Sequence, residues 1–232
     1  KNLVKDSKFN ESFVYFPLHM EMERTTLIGA PYFINQIDII RSVAKSLPIN
    51  FKLYVKEHPI QILRGWRSKE EYQEIMDIPN VRLFHPDFSN DILYKSCSLV
   101  FTIAGTAGFE AACYGKPSII MVKLNYLDLP SVTLLNNFNE LHDLIKNKLK
   151  ERVSAKDVSE FLNLFKTNAS NFDWGGFTQK LSEEFFKNKT RDAQISNKKM
   201  ELFLKENDQI LEDFAEEHFK KIQLFEQEES SK

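Results

Sequence analysis

Glycine is scarce in this chain, 7 residues of 232, so each one is informative. A glycine kept in such a background stands where the backbone needs a conformation that a Cβ resists. Cysteine is scarcer still: Cys97 and Cys113 are the only two, both in apolar helical contexts. That usage argues against a disulfide framework and predicts reduced core thiols in a cytoplasmic protein. No Cys/His cluster has zinc spacing. No apolar run approaches the ~20 residues of a bilayer span, and no secretory signal peptide is visible. Neither sign of charge dominates, with 31 Lys and Arg against 33 Asp and Glu for a net charge of −2. A general nucleic-acid binder, which needs a basic face, is thereby disfavoured. The chain opens on Lys1 rather than Met, which reads as a fragment or excised domain.

What is present is a core-forming chain, with 20 phenylalanines and strand–helix alternation over its first two thirds. Phe13–Pro17, Lys52–Val55, Val81–Phe84, Leu99–Ile103 and Ser118–Met121 read as short buried strands. Between them, apolar residues at helical spacing predict a helix over Tyr32–Leu47, closed by Pro48. Shorter helices follow over Lys69–Met76 and over Asn90–Ser96, the latter capped by Ser89 with Asp91 in its first turn. Short connections between alternating elements imply an α/β fold with a doubly wound, mostly parallel, Rossmann-like sheet. Beyond Leu135 the signal is entirely helical. Phe138–Leu149 reads as one helix, Ser154 with Asp157 opens another, and Asn171–Gly176 is a break. Two charged amphipathic segments finish the chain, the last with Ile210, Phe214, His218, Ile222 and Phe225 on one face. The organisation expected is a nucleotide-binding domain over 1–135 and a helical extension over 136–232.

Two strand ends carry chemistry. The strand ending at Ile103 runs into Ala104-Gly105-Thr106-Ala107-Gly108, where Gly105 and Gly108 bracket Thr106. A helix over Ala107–Tyr114 follows, stopped by Gly115-Lys116-Pro117. A helix that opens just past a parallel strand aims free N–H groups at the sheet edge, where phosphates bind in such folds. The alternative is a tight turn with no ligand. The strand ending at Val55 runs into Lys56-Glu57-His58-Pro59, and parallel strands would bring this charged end to the same edge. Lys56 and His58 could meet a phosphate with a fixed charge and a proton. A hydrogen-bonded surface histidine is the competing reading. A loop containing Arg64 and Arg67 follows this strand end.

The ordered set Tyr15-Phe-Pro-Leu-His19, Lys56-Glu-His-Pro59, Asn80-Val-Arg-Leu83, Gly105-Thr-Ala-Gly-Phe-Glu110 and Gly115-Lys-Pro117 resembles the donor-binding half of GT-B glycosyltransferases. Within that group it is most similar to capsule and surface-polysaccharide biosynthesis transferases, over about Ser12 to Leu135. The resemblance implies a nucleotide-sugar donor, with the His-Pro loop favouring a CMP-linked acidic sugar and a UDP-sugar as the alternative. It implies catalytic, leaving-group roles for His58 and Lys56, and donor-binding roles for Gly105, Thr106 and Ala107 at the phosphate. Glu110 would accept ribose hydroxyls, with a helix-dipole role as the bland alternative. His19, Glu21 and Glu23 would flank the cleft, or else form a solvated loop. No cofactor and no metal are implied. The acceptor would be a glycan or a lipid-linked glycan, bound largely by an N-terminal domain that would also supply the base. Further expectations are peripheral association with the inner face of the membrane or with an assembly complex, and a C-terminal helix, over Asp192–Gln227, that packs on another domain or pairs two copies. Three other functions stay open: a UDP-sugar 2-epimerase, a teichoic-type CDP-alcohol phosphotransferase and a non-catalytic nucleotide-binding scaffold.

Overall fold

The computed structural model describes residues 9–21, 23–61, 65–169, 172–186 and 195–230. Its contacts divide into two compact units, Lys1–Leu162 and Asn163–Lys232.

The first unit is built on six parallel strands: β1 Ser12–Pro17, β2 Phe51–Lys56, β3 Val81–Phe84, β4 Leu99–Thr102, β5 Ser118–Ile120 and β6 Val132–Leu134. Their order in the sheet is β3-β2-β1-β4-β5-β6. The doubly wound architecture expected from the sequence is what forms. The sixth strand was not legible: Val132–Leu134 is three residues long and follows a Pro130-Ser131 turn, too short for a periodicity signal. Strand β1 explains the two-sided core. Val14 and Phe16 point into one apolar cluster and Phe13 and Tyr15 into the other, all within 1% of complete burial. Each such side chain contributes roughly 1.5–3 kcal/mol by leaving water.

Helices cover both faces. Helix α1, Gln36–Ser46, places Ile39, Ile40 and Val43 in the first cluster. It is shorter than the expected Tyr32–Leu47: Pro31–Phe33 is a separate 3₁₀ turn, and the Asn35 side chain caps α1 by accepting from the Asp38 N–H. Helix α2, Lys69–Met76, starts with a capping box between Ser68 and Glu71. Helix α3, Asn90–Ser96, and helix α4, Ala107–Cys113, cover the second face through Leu93, Tyr94 and Ala111. The α4 stop is a Schellman motif. Gly115 sits at φ +72°, its N–H bonds the Ala112 carbonyl, and the Lys116 N–H bonds that of Ala111. Helix α5, Leu141–Lys148, follows a 3₁₀ turn at Phe138–Glu140, so the single helix expected over Phe138–Leu149 is two segments. Helix α6, Ala155–Asn168, opens with the Ser154 hydroxyl accepting from the Lys156 N–H at 3.2 Å. Both cysteines are free. Cys97 is buried, and burial pushes its thiol up to about 12, whereas Cys113 is exposed. The core position expected for Cys113 is therefore corrected: it ends α4 on the outward side.

The second unit contains α7, Trp174–Leu181, a π-helical turn over Ser182–Phe186, α8, Asn197–Glu206, and α9, Asp208–Ser230. The break expected at Asn171–Gly176 is present at Phe172 and Asp173 but ends earlier than expected, because α7 starts at Trp174, where the Asp173 carboxylate accepts from the Gly176 N–H at 2.9 Å. Asn171 and Asp192, like Arg64, lie outside the described residues. Rings hold this unit together, with Phe172 and Phe214 4.3 Å apart and Phe185 and Phe203 4.8 Å apart. Ile210, Ile222 and Phe225 remain half-exposed on α9. Among the described residues no helix is long and apolar enough to cross a membrane.

Candidate functional site

The sheet order reverses between β1 and β4, and a crevice opens at that point beyond the carboxyl ends of the strands. A cleft of about 340 Å³ occupies it. Its walls come from the chain segments that leave β1, β2 and β4, and from the first turns of α3 and α4.

The β2 arm brings Lys56, Glu57 and His58. Lys56 is 3% exposed, and its ammonium donates to the amide oxygen of Asn90 at 2.6 Å rather than to a carboxylate. Burial lowers its proton affinity, partly offset by Asp87 and Glu57. The Tyr15 hydroxyl donates to the same Asn90 oxygen at 3.2 Å. A buried ammonium held by a neutral partner retains strong demand for an anion. At His58, Nδ1 accepts from the Ile60 N–H at 3.2 Å. Burial also lowers the His58 pKa. The neutral ring therefore carries its proton on Nε2 and offers a donor there.

The β1 arm brings His19, buried where a solvated loop was the alternative. Its Nε2 lies 2.8 Å from the Ala104 carbonyl oxygen and 3.3 Å from the Ala104 nitrogen. Its Nδ1 is buried without a hydrogen-bond partner. Burial lowers the His19 pKa. A guanidinium ties this arm to the previous one. Arg67 donates from Nε to Glu57 at 2.7 Å, from one terminal nitrogen to the His19 carbonyl at 2.6 Å and from the other to Glu21. The Glu57 carboxylate also accepts from the Tyr72 hydroxyl at 2.9 Å and from the His58 N–H at 2.7 Å. Arg67 and Glu57 are both buried, so this pair braces the backbone of His19 and of His58 at once.

The β4 arm is the glycine turn. Gly105 has φ +80°, a conformation that L side chains resist, and a Cβ there would lie 3.6 Å from His19 Nε2. Gly108 serves packing rather than ligand approach. A Cβ on it would meet the Tyr126 ring at 3.0 Å and Ile120 at 3.1 Å. The Tyr126 hydroxyl completes the turn by donating to the Gly105 carbonyl at 2.6 Å. Thr106 stands at the N-cap of α4 without capping it, because its hydroxyl donates to Glu110 at 2.5 Å. The first N–H groups of α4 are left without a side-chain cap.

His19, Glu23, Lys56, His58, Gly105, Thr106, Ala107 and Glu110, all singled out in the sequence, line this one cleft. Glu21 does not line it and is turned to Arg67 instead. Sequence reasoning missed Tyr15, Asn90 and Tyr94 in the lining and the Arg67–Glu57–Tyr72 bracing behind it. Asn90 did carry a sequence signal, because α3 follows β3 and every strand-to-helix connection of a parallel sheet opens on the same edge. The partners of Arg67 had no sequence signal.

The family described as "Capsule polysaccharide biosynthesis protein" matches residues 4–165. No curated protein matches the sequence. Among solved structures, a β-Kdo 2,7-transferase, KpsC of Thermosulfurimonas dismutans, is similar at 19% identity and a TM-score of 0.43, over 68% of this chain and 56% of that one. Anabaena HepE in complex with UDP and glucose is similar at 17% identity and a TM-score of 0.45, over 75% and 48%. The UDP-GlcNAc 2-epimerase of Methanocaldococcus jannaschii is similar at 14% identity and a TM-score of 0.48, over 71% and 47%. The chain spans about half the length of these structures.

Proposed function

Because the chain belongs to the capsule polysaccharide biosynthesis protein family, we propose that it is the donor-binding half of a nucleotide-sugar-dependent glycosyltransferase of surface-polysaccharide assembly. The observation that carries this reading is Lys56, a buried ammonium in the switch-point cleft that is bonded to a neutral amide and is in need of an anion. A nucleotide phosphate supplies that anion. His58 then donates from Nε2 to a phosphate oxygen, and the uncapped N–H groups of α4 add their dipoles. In glycosyl transfer the bond from the sugar to the phosphate breaks and negative charge grows on the departing phosphate. Preorganised donors stabilise that charge. Lys56 and His58 would thus act on the leaving group, while Glu110, Glu23 and His19 contact neutral parts of the donor.

The donor we favour is a CMP-linked acidic sugar. A single phosphate matches a cleft with one buried ammonium, and the His58-Pro59 loop fits that class. The acceptor would be a glycan or lipid-linked glycan. Calorimetric titration with CMP, UDP and CDP tests the reading. Preferential CMP binding supports it. Preferential UDP binding favours an epimerase or UDP-sugar enzyme, preferential CDP binding a CDP-alcohol phosphotransferase, and no binding a scaffold.

A further inference from the structure

Asn90 opens α3, yet its side chain does not serve the helix, because Ser89 caps α3 by accepting from the Ile92 N–H at 3.4 Å. The asparagine is used in the cleft instead. Its Oδ1 takes two donors at once, the Lys56 ammonium at 2.6 Å and the Tyr15 hydroxyl at 3.2 Å. An ammonium has protons and no lone pair, so the amide atom that faces Lys56 can only be the oxygen. Burial raises the Tyr15 pKa, so the phenol keeps its proton and donates as well. The amide is thereby locked in one orientation. Both donors come from buried residues of β1 and β2, so Oδ1 points toward the sheet. Nδ2, on the other arm of the amide, is turned away from it. Asn90 itself is exposed and lines the cleft. Among the described residues its side chain makes only the two bonds at Oδ1, and Nδ2 has no partner.

The two N–H groups of Nδ2 thus stand one amide away from a buried ammonium. Lys56 has only a neutral partner and needs an anion, and Nδ2 adds donors to the same place without adding a lone pair that would repel one. We propose that Asn90 is a specificity-determining residue that touches the ligand: Nδ2 donates to an oxygen of the anion that Lys56 neutralises. The group recognised is an anion with at least two oxygens, one for each nitrogen. Two parts of an acidic sugar nucleotide have that chemistry, the phosphate and the sugar carboxylate. This assignment rests on the donor-binding reading above. It makes Tyr15 a positioning residue, since its hydroxyl helps to hold the amide oxygen inward.

Side-chain amide NMR signals of the nitrogen-15-labelled full chain read the contact directly, and the proton pair missing from the Asn90→Asp spectrum belongs to Asn90. Cytidine, CMP and CMP-N-acetylneuraminic acid are added in turn, with binding followed by calorimetry. When the anion binds, the Asn90 pair should move downfield and exchange more slowly with solvent. Movement with CMP but not with cytidine assigns the anion to the phosphate. Movement with CMP-N-acetylneuraminic acid alone assigns it to the sugar carboxylate. Movement with cytidine puts the base or ribose on Nδ2 and overturns the proposal. Binding that leaves the pair unmoved in every case overturns it too, and leaves the donor-binding reading standing. Failure of all three ligands to bind overturns the proposal and that reading together. Asn90→Asp keeps an acceptor for Lys56 and Tyr15 but loses both N–H groups. It should fold as the native chain does and lose at least about tenfold in affinity for the ligand that moves the pair. Native affinity in the folded variant would overturn the proposal.

Discussion

Nζ of Lys56 lies 2.6 Å from Oδ1 of Asn90, and the pair joins the end of β2 to the first residue of α3 in the lining of the cleft. The relationship sets function against stability. Replacing the buried ammonium by Lys56→Met removes a charge that the fold holds at a cost and leaves Tyr15 bonded to Asn90. Thermal unfolding should show stability unchanged or raised by up to about 1 kcal/mol. Nucleotide affinity should fall by about 1.5–3 kcal/mol, the range for hydrogen bonds to charged groups.

The bracing pair behaves in the opposite sense. Arg67→Met leaves Glu57 buried without its cation and should destabilise the chain by about 3–5 kcal/mol in urea unfolding. Arg67→Lys keeps the charge but loses the fork that reaches Glu57 and the His19 carbonyl together. It should fold better than Arg67→Met and still bind nucleotide more weakly than the native chain.

The glycines of the β4 turn separate cleanly. Gly105→Ala forces a Cβ into φ +80°, at roughly 1–2 kcal/mol, although its 3.6 Å contact with His19 is ordinary. Gly105→Val adds branching beside the proposed phosphate site and should abolish nucleotide binding in a protein that still folds. Gly108→Ala pushes against Tyr126 and Ile120 and should cost about 1–3 kcal/mol of stability through overpacking. The ligand-facing side of the turn is untouched there, so a folded Gly108→Ala protein should bind with nearly native affinity.

The pH dependence of stability has a fixed sign. Burial lowers the pKa of both His19 and His58 from the ordinary 6.5. Between their folded-state values and 6.5 the unfolded chain binds more protons than the folded one, so stability rises with pH across that window. It is fully present above 6.5 and is lost as the pH falls through the folded-state values. Urea unfolding at a series of pH values should show this slope, and His19→Phe should flatten part of it.

The sheet was readable because β1, β2, β3, β4 and β5 are short apolar runs bounded by turn residues, and the cleft was readable because parallel strands open their carboxyl ends on one edge. The lining histidine, lysine and glycine residues each adjoin such an end. What was hidden depended on partners far away in sequence. Arg67 is a generic loop cation until Glu57 and the His19 carbonyl are folded around it. Gly108 looks like a ligand-approach glycine until Tyr126 stands over it. Cys113 looks like a core thiol because its helix is apolar, yet it falls on the turn that faces away from the sheet.

The most direct test of the donor cleft is a side-by-side calorimetric titration of the native chain and His58→Ala with CMP. The native chain should bind CMP measurably, and His58→Ala should bind it more weakly by about 1.5–3 kcal/mol with folding intact by circular dichroism. Equal affinity in the two proteins would remove His58 from the site, and no binding by the folded native chain would contradict the donor-cleft assignment itself.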